Sequence, residues 1–304
     1  MNKRSYILLL LLCAALGGCI GEDNGDCAAR YGVELQFRNM EPTRSGDDFL
    51  DRVGSVRAVF YDAAGNYLLD RAVSRNDLHR FQGLRLSLPQ GEYTAVCWGN
   101  ASGANTRINY TKHLDASDEA LYHPDYTTAR AIPTNDPLYY GRVSFTVQPQ
   151  TESHTVYFKP AHVKLRIEVR GIQYMNPPPA DIDKLSIRIT NLYPAYTNGM
   201  IPSGRVSTYY PKIITDAVFQ EAGAWCNILR FDGDDNPIAI EVAPDAAAAA
   251  VHTEPLAAFM TTHGLTIRDG HELAISIVIT FRPVGGVHVT IGPWTGQPTL
   301  PGGM

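Results

Sequence analysis

Val163-Lys164-Leu165-Arg166-Ile167-Glu168-Val169 decides the fold class. Apolar and charged residues alternate with a period of two, the signature of a strand with one buried face. Val163, Leu165, Ile167 and Val169 share that face. The alternation recurs on both sides of this stretch. Upstream, Val33, Leu35 and Phe37 line one face of a strand over 32–39, and Leu84, Leu86 and Leu88 line another. Residues 53–62, 67–73 and 92–98 read as further strands, with turns at Ala63-Ala64-Gly65-Asn66 and Pro89-Gln90-Gly91. Residues 138–147 and 155–159 continue the pattern. Downstream, Leu185, Ile187 and Ile189 alternate within 182–191. Residues 272–281 and 286–294 form a last hairpin around Pro283-Val284-Gly285-Gly286. Short strands with regular turn signals define an all-β chain.

Lys159-Pro160-Ala161 interrupts the pattern and marks a boundary. The chain therefore reads as two consecutive antiparallel β-sandwich domains, 31–159 and 160–304, each burying its alternating face against a facing sheet. Residues 100–137 are polar and rich in turn formers, a connection long enough to be functional or mobile. Residues 224–231 and 237–242 read as a hairpin around Asp232-Gly233-Asp234-Asp235-Asn236. One helix is expected over 253–263, with Thr253 as cap, Pro255 in the first turn and Gly264 as the stop.

The N-terminus carries a different message. Lys3 and Arg4 precede an apolar run over 6–15, followed by Leu16-Gly17-Gly18-Cys19. This is a signal peptide over 1–18. The run is too short to cross a hydrocarbon core of roughly 30 Å as a helix. Small residues before a cysteine resemble the lipobox of bacterial lipoproteins, in which the thiol takes diacylglycerol and the freed amino group is acylated. Cys19 is then the lipidation site, and two or more acyl chains hold a protein stably on a membrane. Residues 19–30 form a tether without periodicity. Its Glu22 and Asp23 resemble the surface-export signal of Bacteroidetes lipoproteins; a solvated linker is the alternative. Of the remaining cysteines, Cys27 and Cys97 fall in the same half and are the candidate disulfide in an exported protein. Buried free thiols at Cys27, Cys97 and Cys226 are the alternative.

Acidic residues outnumber basic ones by 31 to 26, which argues against binding a nucleic-acid backbone. Apolar residues make up 44% of the chain, enough to build cores and to exclude disorder throughout. There is no Gly-x-Ser-x-Gly, phosphate loop, His-Glu-x-x-His or Cys-x-x-Cys. Asp232 to Asn236 departs from EF-hand spacing and reads as a turn. Trp98, Trp225 and Trp294 are either a sugar platform or sandwich packing residues. The chain is read as non-enzymatic, with no cofactor and no metal.

Five stretches in order carry a resemblance: Tyr31 to Phe37; Val59 to Tyr67, with its aromatic-Asp-x-x-Gly; Gly91 to Asn100, a Gly-x-Tyr…Trp-Gly-Asn strand; Val163 to Val169; and Leu256 through Trp294. Together with the lipobox they resemble the FimB-type fimbrillin-associated anchor family of Bacteroidetes, lipoproteins at the base of type V pili. The resemblance implies two transthyretin-like sandwiches, lipid-anchored in the outer membrane and exposed at the surface. It implies fimbrillin shaft subunits as partners and a role in holding the shaft and limiting its length. Only Cys19 transfers as a functional position. The tail after Trp294 holds two prolines and three glycines and would make a poor donor strand. The chain is therefore expected to accept a fimbrillin strand, with the first domain as acceptor. A surface adhesin or glycan-binding lipoprotein of the same fold is the alternative, with 100–137 and the tryptophans as its working parts.

Overall fold

The computed structural model describes residues 29–40, 46–128, 130–231, 236–284 and 286–294. The first half contains β1 (Arg30–Asn39), β2 (Val56–Asp62), β3 (Tyr67–Val73), β4 (Gly83–Pro89), β5 (Gly91–Gly99), the short β6 (Arg107–Ile108) and β7 (Leu121–Tyr122), β8 (Tyr139–Val147) and β9 (Glu152–Pro160). Seven of these form one sheet, in the order β3-β2-β5-β8-β9-β1-β4. The sheet closes over itself, because β8 pairs with β5 from Gly91↔Val147 to Gly99↔Tyr139 but meets β9 only from Tyr139↔Pro160 to Gly141↔Phe158. Phe37, Phe60, Ala95, Phe145 and Phe158 meet inside. Helix α1 (Phe49–Arg52) contributes Phe49, whose ring lies 5.9 Å from Phe37 and 5.1 Å from Phe158. Helix α2 (Arg75–Arg80) opens on a capping box between Ser74 and Asp77 and sinks Leu78 into the core. One side of the sandwich is thus closed by the β8–β9 corner. The other ends in two edges, β3 and β4.

The second half contains β10 (His162–Arg170), β11 (Ser186–Leu192), the short β12 (Ala195–Tyr196) and β13 (Pro202–Ser203), β14 (Ser207–Tyr209), β15 (Ile213–Asp216), β16 (Glu221–Leu229), β17 (Ala239–Ala243), β18 (His252–Pro255), β19 (Leu273–Phe281) and β20 (Val287–Ile291). A sheet β15-β16-β10-β19-β20 packs against a sheet β14-β11-β17-β18. Val163, Leu165, Ile167 and Val169 of β10 are buried against Ile187, Ile189, Ile240 and Val242, as their alternation predicts. Helix α3 (Leu256–Thr262) adds Leu256, Phe259 and Met260.

The two halves share no visible sequence repeat, yet their ladders repeat. β1 lies antiparallel to β4 and parallel to β9; β10 lies antiparallel to β16 and parallel to β19. The order β3-β2-β5-β8 is matched by β14-β11-β17-β18, antiparallel throughout. The all-β reading holds, but the two parallel ladders depart from a purely antiparallel one. Parallel neighbours need a long crossover, and each pair here is separated by the rest of its half. Residues 224–231 and 237–242 do not form a hairpin: β16 and β17 lie in opposite sheets. Their alternating faces point into the same core, so the chain crosses the sandwich between them. The expected helix over 253–263 starts late, because 252–255 are taken into a ladder with β17.

Candidate functional site

Four sequence-selected positions, Cys19, Glu22, Asp23 and Cys27, lie outside the described residues, as do residues 232–235 of the acidic turn. Cys97 is a free thiol in the first core, and burial pushes it up to about 12. Cys226 is likewise buried and free. Among the described residues no helix is long and apolar enough to cross a membrane, and no three His, Cys, Asp or Glu side chains gather as a metal site. Of the three tryptophans, Trp98 is buried, while Trp225 and Trp294 line one groove.

The most heavily built region is the joint between the halves. β2 and β5 are buried on both faces. Their inner residues face the first core. Val59, Tyr61, Val96 and Trp98 point the other way, into a separate cluster. Leu114 and Leu121 of the long connection and Leu138 just after it cover that face, together with Ala161, Tyr196 and Leu229 from the second half. Trp98 stacks on Tyr196 at 5.8 Å and 15°, and Tyr140 lies 4.9 Å away. A small sheet, β13-β12-β7-β6, takes two strands from the connection and two from the second half. The segment over 100–137 is therefore a clasp. Beyond β7 it reaches the second core with Ile132, and Asn135 and Asn227 pair through Asn135 N–H to the Asn227 carbonyl at 2.8 Å.

Polar groups lock the same region. The Tyr196 hydroxyl sits 3.0 Å from the Ala161 carbonyl and 2.7 Å from the Arg230 carbonyl and donates to either. Asn198 donates to Thr111 Oγ1 at 2.6 Å and to the Leu114 carbonyl at 3.2 Å, while its own carbonyl accepts from Tyr140 at 2.9 Å. At the rim, Glu272 receives Arg52 at 3.2 Å, Lys164 at 2.9 Å and the Tyr139 hydroxyl. Burial pushes the Glu272 carboxyl up, but the Tyr139 and Lys164 hydrogen bonds and Lys164's charge outweigh it and hold it below its usual value. Lys159 pairs with Asp269 at 2.8 Å. The signal for this joint was present in Ala95-Val96-Cys97-Trp98, a continuous apolar run of the kind found in strands covered on both faces. Glu272 and Tyr196 left no comparable signal.

His162 makes the joint sensitive to acid. Its Nδ1–H donates to the Leu138 carbonyl at 2.9 Å, and its buried Nε2 has no partner among the described residues. Protonating Nε2 would place an unpaired charge in the core, so burial lowers its pKa to about 4. The unfolded chain binds that proton near pH 6.5. Stability is thus full above about pH 6.5 and falls toward pH 4, by on the order of 3 kcal/mol from this group. His162→Gln is expected to flatten unfolding free energy across that window. An unchanged pH slope in the variant would contradict the assignment.

The first half has two open edges, β3 and β4. Leu69 on β3 and Leu84 and Leu86 on β4 are only half-buried against the core, along the side away from the β8–β9 corner. β3 is partly guarded: Tyr67 N–H donates to the Lys112 carbonyl, and Asp70 holds Arg57 at 2.7 Å. β4 carries one exposed ion pair, Arg85 with Glu34 at 2.6 Å, and near its end the Arg30 guanidinium donates to the Ser87 carbonyl at 3.1 Å.

A family model described as Mfa2, fimbrillin-A associated anchor proteins Mfa1 and Mfa2, matches residues 24–297. No curated protein matches in sequence. Among solved structures, the fimbrial anchor protein Mfa2 from Porphyromonas gingivalis is similar at 13% identity, over 88% of this chain and 98% of that one, with a TM-score of 0.65. A candidate adhesin from Bacteroides ovatus is similar at 17% identity, over 87% and 94%, with a TM-score of 0.65. A candidate polysaccharide-binding protein from Bacteroides thetaiotaomicron is similar at 15% identity, over 89% and 98%, with a TM-score of 0.64. At these identities the likeness is one of fold.

Proposed function

Because this chain belongs to the family of fimbrillin-A associated anchor proteins, we propose that it is the lipid-held base of a surface fimbrium, with a shaft subunit as its partner. The family match over nearly the whole chain carries this reading. In it, residues 1–18 are removed, Cys19 is acylated in the outer membrane, and 19–30 is the tether, with Glu22 and Asp23 directing surface export. Residues 31–159 and 160–304 are two transthyretin-like domains. The course of the strands supports a polarity. The tether enters β1 at Arg30, beside Pro89, and β1 runs alongside β9 to Asn39, opposite Phe158. β9 then passes through Ala161 into β10. Tether and joint thus lie at opposite ends of the first half. A pull on the second half would reach the lipid through the joint and the β9–β1 ladder.

The half-buried leucines of β4 and its lightly guarded edge support strand acceptance there. An added strand gains main-chain hydrogen bonds from the edge and register from side-chain pockets. One acceptor edge per anchor seeds one shaft, so fewer anchors would share the same subunit pool and give longer shafts. The test is a proline scan. Backbone donors alternate direction along a strand, so of Arg85→Pro and Leu86→Pro one removes an outward donor. That variant is expected to lose the shaft subunit in co-purification while keeping a native circular dichroism spectrum. Undiminished complex formation with every edge of the first half blocked would contradict strand acceptance.

A further inference from the structure

We propose that the groove between Trp225 and Trp294 binds a neutral saccharide through the faces of its pyranose rings. The groove has a volume of ≈ 430 Å³ and is lined by Thr134, Pro137, Lys164, Asn227 and the two tryptophans. That lies within the roughly 300–1,000 Å³ of small-ligand sites.

Both aromatic walls are built, not incidental. Trp225 lies flat on the outer face of the sheet, because its neighbour two residues away is Gly223. A Cβ there would sit 2.7 Å from the indole ring. The Arg166 guanidinium lies 5.7 Å from the ring centroid and braces it. The indole Nε1–H is buried and has no acceptor among the described residues, so Trp225 meets the groove with its carbon surface. Trp294 is positioned by the segment before it. Gly292 N–H donates to the Ser276 carbonyl at 2.9 Å, and Arg166 and Ser276 both donate to the Pro293 carbonyl, at 3.1 Å and 3.2 Å. A Cβ at Gly292 would meet Val278 at 2.7 Å, so glycine lets this segment lie against the sheet. It crosses β19 toward β10 and leaves Trp294 42% exposed.

The chemistry of the lining selects the ligand. Indoles offer π-faces to the C–H face of a pyranose, and the Asn227 side-chain amide, whose Nδ2 also reaches the Asn135 carbonyl at 3.3 Å, serves its hydroxyls. Lys164 is neutralised by Glu272 at 2.9 Å and Arg166 by Glu168. With its cations paired, the groove favours a neutral sugar over an acidic one. This inference goes beyond anchoring and is independent of the β4 edge.

The test is isothermal titration of the whole mature chain with cellohexaose, laminarihexaose, maltohexaose and mannohexaose, and with polygalacturonic acid as the acidic comparison. At least one neutral hexasaccharide is expected to bind. Trp294→Ala, at an exposed site, and Trp225→Ala are each expected to weaken it about tenfold or more. Trp225→Phe keeps a smaller aromatic face and is expected to fall between wild type and Trp225→Ala, which separates a stacking role from loss of fold. Binding of none of the neutral probes at millimolar concentration would overturn the proposal. So would affinity untouched by both tryptophan replacements, or binding of polygalacturonic acid alone. Shaft co-purification by Trp294→Ala is expected to be unchanged, so this test and that of the anchor reading can fail separately.

Discussion

Trp98→Ala is expected to lower the unfolding free energy by about 3–5 kcal/mol, the range for removing a large buried aromatic. The indole is 1% exposed and packs against Tyr140 and Tyr196. Its loss leaves a cavity that the surrounding strands cannot close, because β5 is held on either side by β2 and β8. The effect should reach beyond stability. The cluster around Trp98 draws on the first sheet, the clasp and the second half, so it couples their unfolding. The wild-type chain is expected to unfold in denaturant as one transition, and the variant as two. A midpoint shift equivalent to less than about 1 kcal/mol, within the ordinary scatter of single substitutions, would show that the joint does not hold the halves together.

Cys19→Ala carries the second large effect. A protein held by two or more acyl chains stays on its membrane, whereas one without them has only its soluble body. Near-complete loss from the outer-membrane fraction is expected, with fimbriae shed into the medium. Globomycin treatment, which blocks the lipoprotein peptidase, should hold wild-type protein in its longer form. Membrane fractionation of Cys19→Ala that matches wild type would refute lipidation at this residue.

Where the chain is patterned, its structure follows. Val163 to Val169 and Leu84 to Leu88 are legible because the second face of each is polar, exposed at Arg85 and Ser87 and buried but ion-paired at Arg166 and Glu168. The final hairpin is legible from its Pro283-Val284-Gly285-Gly286 turn. β2 and β5 are different. Both of their faces are covered, so Ala95 to Trp98 reads as a continuous apolar run and does not say what covers it. The clasp over 100–137 is polar because it lies on the surface, and its few apolar residues, Leu114, Leu121 and Ile132, have no common period. Its partners are distant in sequence. Pairing is also a long-range property: the parallel ladders of β1 with β9 and β10 with β19 leave no local trace, and neither does the crossing from β16 to β17. The groove was half legible. Trp225 and Trp294 stood out as large aromatics, but nothing local distinguished them from Trp98, which the fold places in the joint.

The central claim is that this chain holds a fimbrial shaft. The direct measurement is purification of the native protein from outer membranes in mild detergent, followed by mass spectrometry of everything that co-purifies. A β-rich shaft subunit in stoichiometric amount is the expected result, and its cross-links should fall on the first half near β4. Recovery of the anchor alone, from cells that display fimbriae, would contradict the claim and turn attention to the Trp225–Trp294 groove as the working site.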